Sequence, residues 1–174
     1  LFVDGMLLLS GFLLYLPYAR EKVYGIPASG VGRFYFNRFK RIVPSYLFSV
    51  LAVLLLYALP GGAYRDAAAR NADILTHLTF TFNFFRDTYL YTPLNGVLWT
   101  VAVEVQFYLV FPWLAAAARK KPAYTLGAMA AAGILFRLIV AKNVTDLSVW
   151  INQMPAFLDV YALGMLGAIL YTKL

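Results

Sequence analysis

The sequence predicts an all-helical, polytopic membrane bundle of about five spans, and three observations support this fold class. Of the 174 residues, 62% are hydrophobic and only 13% are charged, whereas an average soluble domain is about half apolar and about a quarter charged. The mean hydropathy is +0.70, and the apolar residues form long stretches with few polar residues in them. Basic residues are concentrated in alternate loops, as in chains that cross a bilayer repeatedly. A soluble particle of this size could not bury so many apolar side chains.

Five stretches are long and apolar enough, or nearly so, to cross about 30 Å of hydrocarbon as helices. In chain order they are residues 2–18, 42–59, 96–118, 123–140 and 154–171. Pro44, Pro122 and Pro155 lie at or next to the start of three of them, and proline is tolerated in the first turn of a helix. A sixth apolar stretch, residues 75–85, is too short to span, so it is predicted to be re-entrant or interfacial.

The distribution of charge supports the five spans and orients them. Residues 19–41 carry six basic side chains against Glu21, and residues 119–121 are all basic, whereas the loops at 60–95 and 141–153 are balanced. With five spans the basic segments fall on one side, which the positive-inside rule assigns to the cytoplasm. The net charge of +7 is then a consequence of topology, so we expect membrane lipids as partners and no nucleic acid.

The composition also restricts the chemistry. The absence of cysteine excludes disulfides, thiolate nucleophiles and cysteine-ligated metals. The single histidine, His77, has no cluster of acidic residues near it in the sequence, so it makes a poor metal ligand and is predicted to be structural. We therefore expect no metal cofactor.

The informative residues of the spans are the ionisable ones, because a charge at membrane depth is costly and usually faces a partner or a cavity. Glu104 lies in the third span, about eight residues from its start. At helical spacing one face of this span carries Thr100, Glu104, Phe107, Tyr108 and Phe111. The pattern leaves two interpretations open: a carboxylate that takes part in proton transfer, or a structural acid paired with an arginine of another helix.

Three further ionisable residues lie in or near the spans. Asp4 is close to the outer end of the first span and is predicted to be interfacial. Arg137 and Asp159 lie towards the outer side of the fourth and fifth spans, where they are expected to pair with each other or with lipid headgroups.

A basic and aromatic run, residues 33–41, precedes the second span. It places Arg38 and Arg41 on one helical face, with Lys40 and phenylalanines between them. One interpretation is an interfacial anchor of snorkelling basic side chains and aromatic rings. The other is a phosphate site, because guanidinium groups bind phosphate oxygens in pairs. The run alone favours the anchor.

Four stretches, in this order, resemble motifs of the acyltransferase-3 family of integral membrane O-acyltransferases. The first is residues 4–13, ending in Leu9-Ser10-Gly11-Phe12-Leu13, and the second is residues 36–46, which contain Arg38-Phe39-Lys40-Arg41-Ile42. The third, residues 98–108, includes Trp99, Glu104 and Tyr108, and the fourth, residues 157–170, is like a later glycine-bearing span. The resemblance covers most of the chain.

The resemblance implies transfer of an acyl group from cytoplasmic acyl-CoA, with acetyl-CoA the favoured donor, to a hydroxyl of an extracytoplasmic glycan or lipid-linked sugar. It implies a bacterial plasma-membrane location and no metal. It assigns Arg38 and Arg41, with Lys40 between them, to the donor, and Glu104 to the functional core in a supporting catalytic role. The remaining matched motif positions are Asp4, Ser10, Gly11, Trp99 and Tyr108.

Two departures from the family pattern limit this expectation. The second acid of the tryptophan motif is replaced by Val105, and the family's histidine and its companion arginine lie in a helix before the Ser10-Gly11 span. His77 lies in the wrong loop to replace that histidine, and the family has further spans. We therefore expect residues 1–174 to be part of a single acyltransferase domain, incomplete at both ends and inactive by itself.

Two other functions account for part of the same pattern. A transporter or flippase would place Glu104 and Arg137 in a substrate path, but the sequence contains no inverted repeat. A passive scaffold would use every charge as an anchor or an ion pair, which the acid deep in the third span argues against. The acceptor, the acyl group and the oligomeric state stay open.

Overall fold

The computed structural model describes residues 2–174, and the regular structure within that range is entirely helical, which confirms the predicted fold class. Five helices or helical segments are long and apolar enough to cross a membrane. The helices are α1 (Phe2–Tyr24), α2 (Val31–Val53, extended by a π-helical turn at Leu54–Ala58), α3 (Ala67–Leu78), α4 (Arg86–Leu90), α5 (Trp99–Lys120), α6 (Pro122–Asn143), α7 (Leu147–Trp150) and α8 (Leu158–Tyr171). Short 3-10 turns at Gly96–Leu98 and Met154–Phe157 lead into α5 and α8.

The spans alternate in direction, so the bundle has two different ends. At the first, called here the basic end, α1, α5 and α8 finish and α2 and α6 begin. Arg119 of α5 pairs there with Glu21 of α1 at 3.2 Å, and the Tyr24 hydroxyl donates to the carbonyl of Thr172 at 3.2 Å. The opposite end, called the loop end, carries the connections at residues 59–98 and 144–153.

The closest packing in the bundle is between α1 and α8. A Cβ added to Gly11 would lie 2.5 Å from the carbonyl oxygen of Tyr161, and one added to Gly164 would lie 2.1 Å from the carbonyl oxygen of Leu8. Glycine at these two positions lets the two backbones touch. In lipid, where apolar side chains gain little by leaving their surroundings, such close approach is a main source of helix association.

Stacked aromatic rings fill the space between α1, α2, α5 and α8. The rings of Phe107 and Tyr161 stack with their centroids 3.6 Å apart, and those of Phe34 and Phe111 stack at 5.3 Å. All four side chains are buried. Because aromatic pairs prefer defined relative orientations, these contacts hold α2, α5 and α8 in register.

The predicted role of Pro44 was wrong. The apolar pattern predicts it in the first turn of a span that starts at residue 42, whereas α2 begins at Val31 and contains Pro44 in its interior. The basic and aromatic run continues the helix ahead of the apolar stretch. Proline removes the N–H that would bond to the carbonyl of Lys40. Both residues are exposed, so water or headgroups can satisfy that carbonyl.

The connection between α2 and α5 folds back into the bundle. Asp66 caps α3 by accepting a hydrogen bond from the amide of Ala69 at 2.7 Å. The helix ends in a turn at Phe80, whose ring packs against Tyr46 at 4.4 Å and whose carbonyl accepts a hydrogen bond from Gln106 Nε2 at 3.0 Å. Tyr46 lies about three turns before the end of its span. Of the two arrangements predicted for residues 75–85, re-entrant or interfacial, this packing against the middle of α2 favours the first, and these residues are called the re-entrant segment below.

Non-helical backbone is tolerated at this depth because protein groups satisfy it. The carbonyl of His77 accepts a hydrogen bond from the Tyr46 hydroxyl at 2.9 Å. The side chain of Asn83 accepts one from Gln106 at 3.0 Å. The side chain of Gln153 donates to the carbonyl of Asn83 at 2.5 Å. These bonds attach the re-entrant segment to α2, to α5 and to the start of the last span.

Arg137 and Asp159 form an ion pair between α6 and α8, so the first of their two predicted partners is confirmed. The guanidinium donates to both carboxylate oxygens, at 2.8 and 2.6 Å, and also to the carbonyl of Ala156. Gly133 leaves room for the pair, because a Cβ there would lie 3.0 Å from Asp159 Oδ1. Asp4 is exposed on α1, within electrostatic range of Arg137.

Replacing Asp159 with asparagine should lower the free energy of unfolding by about 2 kcal/mol, because the variant leaves the Arg137 guanidinium without its counter-charge in a half-buried position. The measurement is thermal unfolding of the purified protein in detergent. Arg86→Gln is the matched control: its pair with Asp146 is 62% and 44% exposed, so the loss should stay below about 1 kcal/mol. Equal losses in the two variants would contradict a structural role for the α6–α8 pair.

Candidate functional site

Glu104 joins α1 and α5 through two hydroxyl groups. Its Oε1 accepts a hydrogen bond from the Ser10 hydroxyl of α1 and another, at 2.5 Å, from the Tyr108 hydroxyl one turn further along α5. Hydrogen bonds to a carboxylate are stronger than neutral ones, so the two donors hold this group in one orientation. One interpretation of the sequence pairs Glu104 with an arginine of another helix. The structure instead shows two hydroxyl donors at this oxygen.

Arg38 of α2 reaches the same place from the other side. Its guanidinium lies over the ring of Tyr108 at 5.7 Å and over the ring of Phe34 at 5.8 Å. The side chain is half-buried, and within residues 2–174 its Nε is enclosed without a hydrogen-bond partner. Tyr108 therefore connects the cation to the carboxylate, with its ring against Arg38 and its hydroxyl on Glu104.

The other members of the basic run face outwards. Lys40 is exposed, with its ammonium 4.4 Å from the centroid of the Phe36 ring, and Arg41 is exposed as well. Cation–aromatic pairs of this kind are typical of interfacial anchors. Arg38 therefore contacts the core, whereas the exposed Lys40 and Phe36 have the arrangement of an interfacial anchor.

Tyr161 of α8 is a member of the cluster that sequence reasoning missed. It is fully buried, and within the described part of the chain its hydroxyl has no hydrogen-bond partner. It lies within electrostatic range of Glu104 and Tyr108. A buried polar group left unpaired costs about 1–3 kcal/mol, which points to a role in the site. Nothing in the sequence singles it out, because the chain has 13 tyrosines.

The other motif residues lie around the cluster. Gly11 packs on the backbone of Tyr161 and so places its neighbour Ser10 next to Glu104. Trp99 is half-buried at the start of α5, where it packs on Tyr89 and Phe157 with ring centroids 6.4 and 6.1 Å away. The structure therefore brings together Ser10, Arg38, Glu104 and Tyr108, whereas Asp4, Lys40, Arg41 and Trp99 lie outside this cluster.

His77 lies in the re-entrant segment, where its Nε2 is enclosed without a hydrogen-bond partner among residues 2–174. It is fully buried and stacks on the Phe82 ring at 3.9 Å. Its Nδ1 is 2.9 Å from the carbonyl oxygen of Asp73 and 3.2 Å from the carboxylate of the same residue. Across residues 2–174, no group of three or more histidine, cysteine or acidic side chains is positioned to hold a metal ion.

The cluster combines a hydroxyl-bonded carboxylate, a half-buried guanidinium and two buried phenols, contributed by four different helices. A carboxylate can take part in proton transfer, and a guanidinium with a free N–H can bind an anionic ligand. The arrangement is therefore suited to proton transfer beside a bound anion.

One of the comparisons with known proteins gives a match. The family model of the acyltransferase-3 family, described as an acyltransferase domain, matches residues 1–174. No curated protein and no solved structure matches the chain significantly.

Proposed function

Because the chain belongs to the acyltransferase-3 family, we propose that it transfers an acyl group from acyl-CoA, with acetyl-CoA the favoured donor, to a hydroxyl group. The acceptor is a glycan or lipid-linked sugar outside the cytoplasm, and the membrane is a bacterial plasma membrane. Family membership and the five candidate spans already identify a membrane acyltransferase in general. The transporter or flippase alternative is not favoured, because the matching family model describes an acyltransferase domain.

The observation that carries the proposal is the connection from Arg38 through Tyr108 to Glu104. It joins an anion-binding group to a carboxylate over the width of one aromatic ring. In the reaction, the acceptor hydroxyl oxygen attacks the thioester carbonyl carbon, a C–O bond forms, the C–S bond breaks and CoA leaves. The hydroxyl proton must pass to a base, which a carboxylate held by two hydroxyl donors can orient.

The charges of the basic end support the orientation of the donor. CoA carries several phosphate oxygens, and guanidinium groups bind such oxygens bidentately. The Arg38 side chain is only half-buried, and Lys40 and Arg41 are exposed one turn or less away. The positive-inside rule places this end in the cytoplasm, where acyl-CoA is found.

The double variant Arg38→Ala with Arg41→Ala should weaken acyl-CoA binding by at least about 100-fold, because each charged hydrogen bond contributes about 1.5–3 kcal/mol. Binding is measured by isothermal titration calorimetry on the intact protein in detergent. Expression in the membrane should be unaffected.

The matched control is Arg20→Ala with Arg33→Ala, which removes the same charge from exposed positions near the same end. It should change acyl-CoA affinity only slightly, through the general electrostatic field. Arg38→Lys should give an intermediate affinity, because lysine keeps the positive charge but cannot form the paired hydrogen bonds of a guanidinium group. Unchanged binding in the first double variant would remove the donor site from the proposal.

A further inference from the structure

A cavity at the loop end takes no part in the cluster described above. It has a volume of about 640 Å³ and is bounded by residues 63–65, by one face of α3 and by residues 87–93. Small-molecule sites typically have volumes of about 300–1,000 Å³, so the cavity has room for a ligand the size of one or two sugar rings. It lies at the end of the bundle opposite to Arg119 and Lys120.

One buried carboxylate holds two walls of this cavity together. Tyr64, which precedes α3, and Thr92, which follows α4, both donate hydrogen bonds to Asp73 Oδ2, at 2.9 and 2.8 Å. Asp73 is only 3% exposed and is backed by His77. Because both hydrogen bonds end on the same carboxylate oxygen, they fix Tyr64 relative to Thr92, and Asp73 acts as a positioning residue that holds the two walls at a set spacing.

Tyr64 remains a hydrogen-bond donor throughout the physiological range. Burial raises the pKa of its hydroxyl above the ordinary value, and the hydrogen bond to Asp73 raises it further. Thr92 uses its oxygen to accept a hydrogen bond from the amide of Leu94 at 3.0 Å. The hydroxyl groups along this wall therefore have definite roles before any ligand arrives.

The lining identifies the class of ligand. The Tyr91 ring is 67% exposed and presents an aromatic surface, and the carboxylate of exposed Asp87 lies nearby. The Thr88 hydroxyl on the same wall donates to the carbonyl of Phe82 at 2.8 Å. Arg65 is already paired with Asp66 at 3.1 Å. Carboxylates accept hydrogen bonds from hydroxyl groups, aromatic faces pack against apolar ring faces, and the excess of acid disfavours anions. We propose that this cavity binds a neutral sugar residue of the acyl acceptor.

One hydrogen bond links the segment that bounds the cavity to the helix that carries Glu104. Its α3 wall ends in the turn at Phe80, which is hydrogen-bonded to Gln106, two residues after Glu104 on α5. An acceptor entering from the loop end would thus bind one sugar residue in the cavity while it presents a hydroxyl to the bundle interior. The acceptor role rests on the proposed function, whereas the binding of neutral sugar can be tested without it.

The binding test uses the absence of native cysteine. Ala68 lines the cavity, and Ala67 is an exposed neighbour outside the lining. Ala68→Cys and Ala67→Cys are introduced separately into the intact protein and labelled with a membrane-impermeant maleimide. Glucose, galactose, rhamnose and N-acetylglucosamine are the protecting probes, and glucose 6-phosphate is the anionic probe.

A neutral sugar should slow labelling at position 68 by roughly tenfold when present at about ten times its dissociation constant, and should leave position 67 unchanged. Absence of protection by all four neutral sugars overturns the proposal. Protection by glucose 6-phosphate alone also overturns it, because the ligand would then be an anion.

A second variant separates this proposal from the proposed function. Ala72→Trp should fill the cavity from the α3 face and lower acyl transfer to the sugar acceptor by about tenfold or more, with acyl-CoA binding unchanged, while Ala67→Trp should retain transfer. Full transfer by Ala72→Trp would overturn the acceptor role of the cavity. Sugar protection in a wild-type protein that transfers no acyl group would instead overturn the proposed function and leave the sugar site intact.

Discussion

Replacing Gly164 with alanine should destabilise the bundle by about 3 kcal/mol or more, because overpacking against a backbone cannot be relieved by a rotamer change. The added Cβ would lie 2.1 Å from the carbonyl oxygen of Leu8 and 2.8 Å from the amide nitrogen of Phe12, so α1 and α8 would have to separate. The readouts are the thermal unfolding temperature in detergent and the fraction recovered as a monodisperse species after extraction.

Three other glycine-to-alanine substitutions provide a graded control for this contact. Gly11→Ala should destabilise in the same way, since its Cβ would meet the carbonyl oxygen of Tyr161 at 2.5 Å. Gly167→Ala would meet only the Phe12 ring at 3.5 Å, and Gly5→Ala would meet nothing within 4 Å. These two should be neutral, or stabilising by up to about 1 kcal/mol through helix propensity. Equal stability of Gly164→Ala and Gly5→Ala would contradict the close α1–α8 contact.

Replacing Glu104 with glutamine should lower kcat for acyl transfer by about 100-fold, within the range attributed to proton-transfer groups. The amide keeps the size of the side chain and removes the charge to which Ser10 and Tyr108 donate. Acyl-CoA affinity and unfolding temperature should change little. The measurement is steady-state acyl transfer by the intact protein with a sugar acceptor.

Three companion variants show whether the loss is specific. Tyr108→Phe should cost about tenfold, because it removes one of the two donors and leaves the carboxylate in place. Glu104→Asp should restore part of the activity. Glu21 pairs with Arg119 at the basic end, outside the cluster, so Glu21→Gln should keep the wild-type kcat. A wild-type rate for Glu104→Gln would remove Glu104 from the mechanism.

The fold could be predicted in large part because a lipid bilayer permits few backbone structures. Inside a bilayer each backbone N–H and C=O group needs a partner from the chain itself, so long apolar stretches must be helical. The predicted starts near Pro122 and Pro155 agree with the structure, where these prolines occupy first-turn positions. The predicted start of α2 is too late because the apolar pattern begins after the helix does. The first turns of α2 are amphipathic, and Pro44 lies in the interior of the helix.

The candidate site divides in the same way between local and tertiary information. The neighbourhood of Glu104 and Tyr108 follows from helical periodicity, since residues four apart lie on one face. Periodicity also placed Arg38 and Arg41 on one face, but packing decided that only Arg38 stacks against Tyr108 while Arg41 is exposed. Ser10 is 94 positions from Glu104 in the chain, and no local rule joins them.

By itself, the sequence determined the helical class, the approximate spans, the division of charge between the two ends and the resemblance to the acyltransferase-3 family. These properties depend on composition and on short-range periodicity, and both are already present within a single helix. Only the tertiary structure decided the pairing of Ser10 with Glu104, the burial of Tyr161, the re-entrant turn at Phe80 and the cavity held by Asp73. Each of these requires contact between separate elements of the chain. Where two helices meet, that contact depends on which side chains let the backbones approach, as Gly11 and Gly164 do.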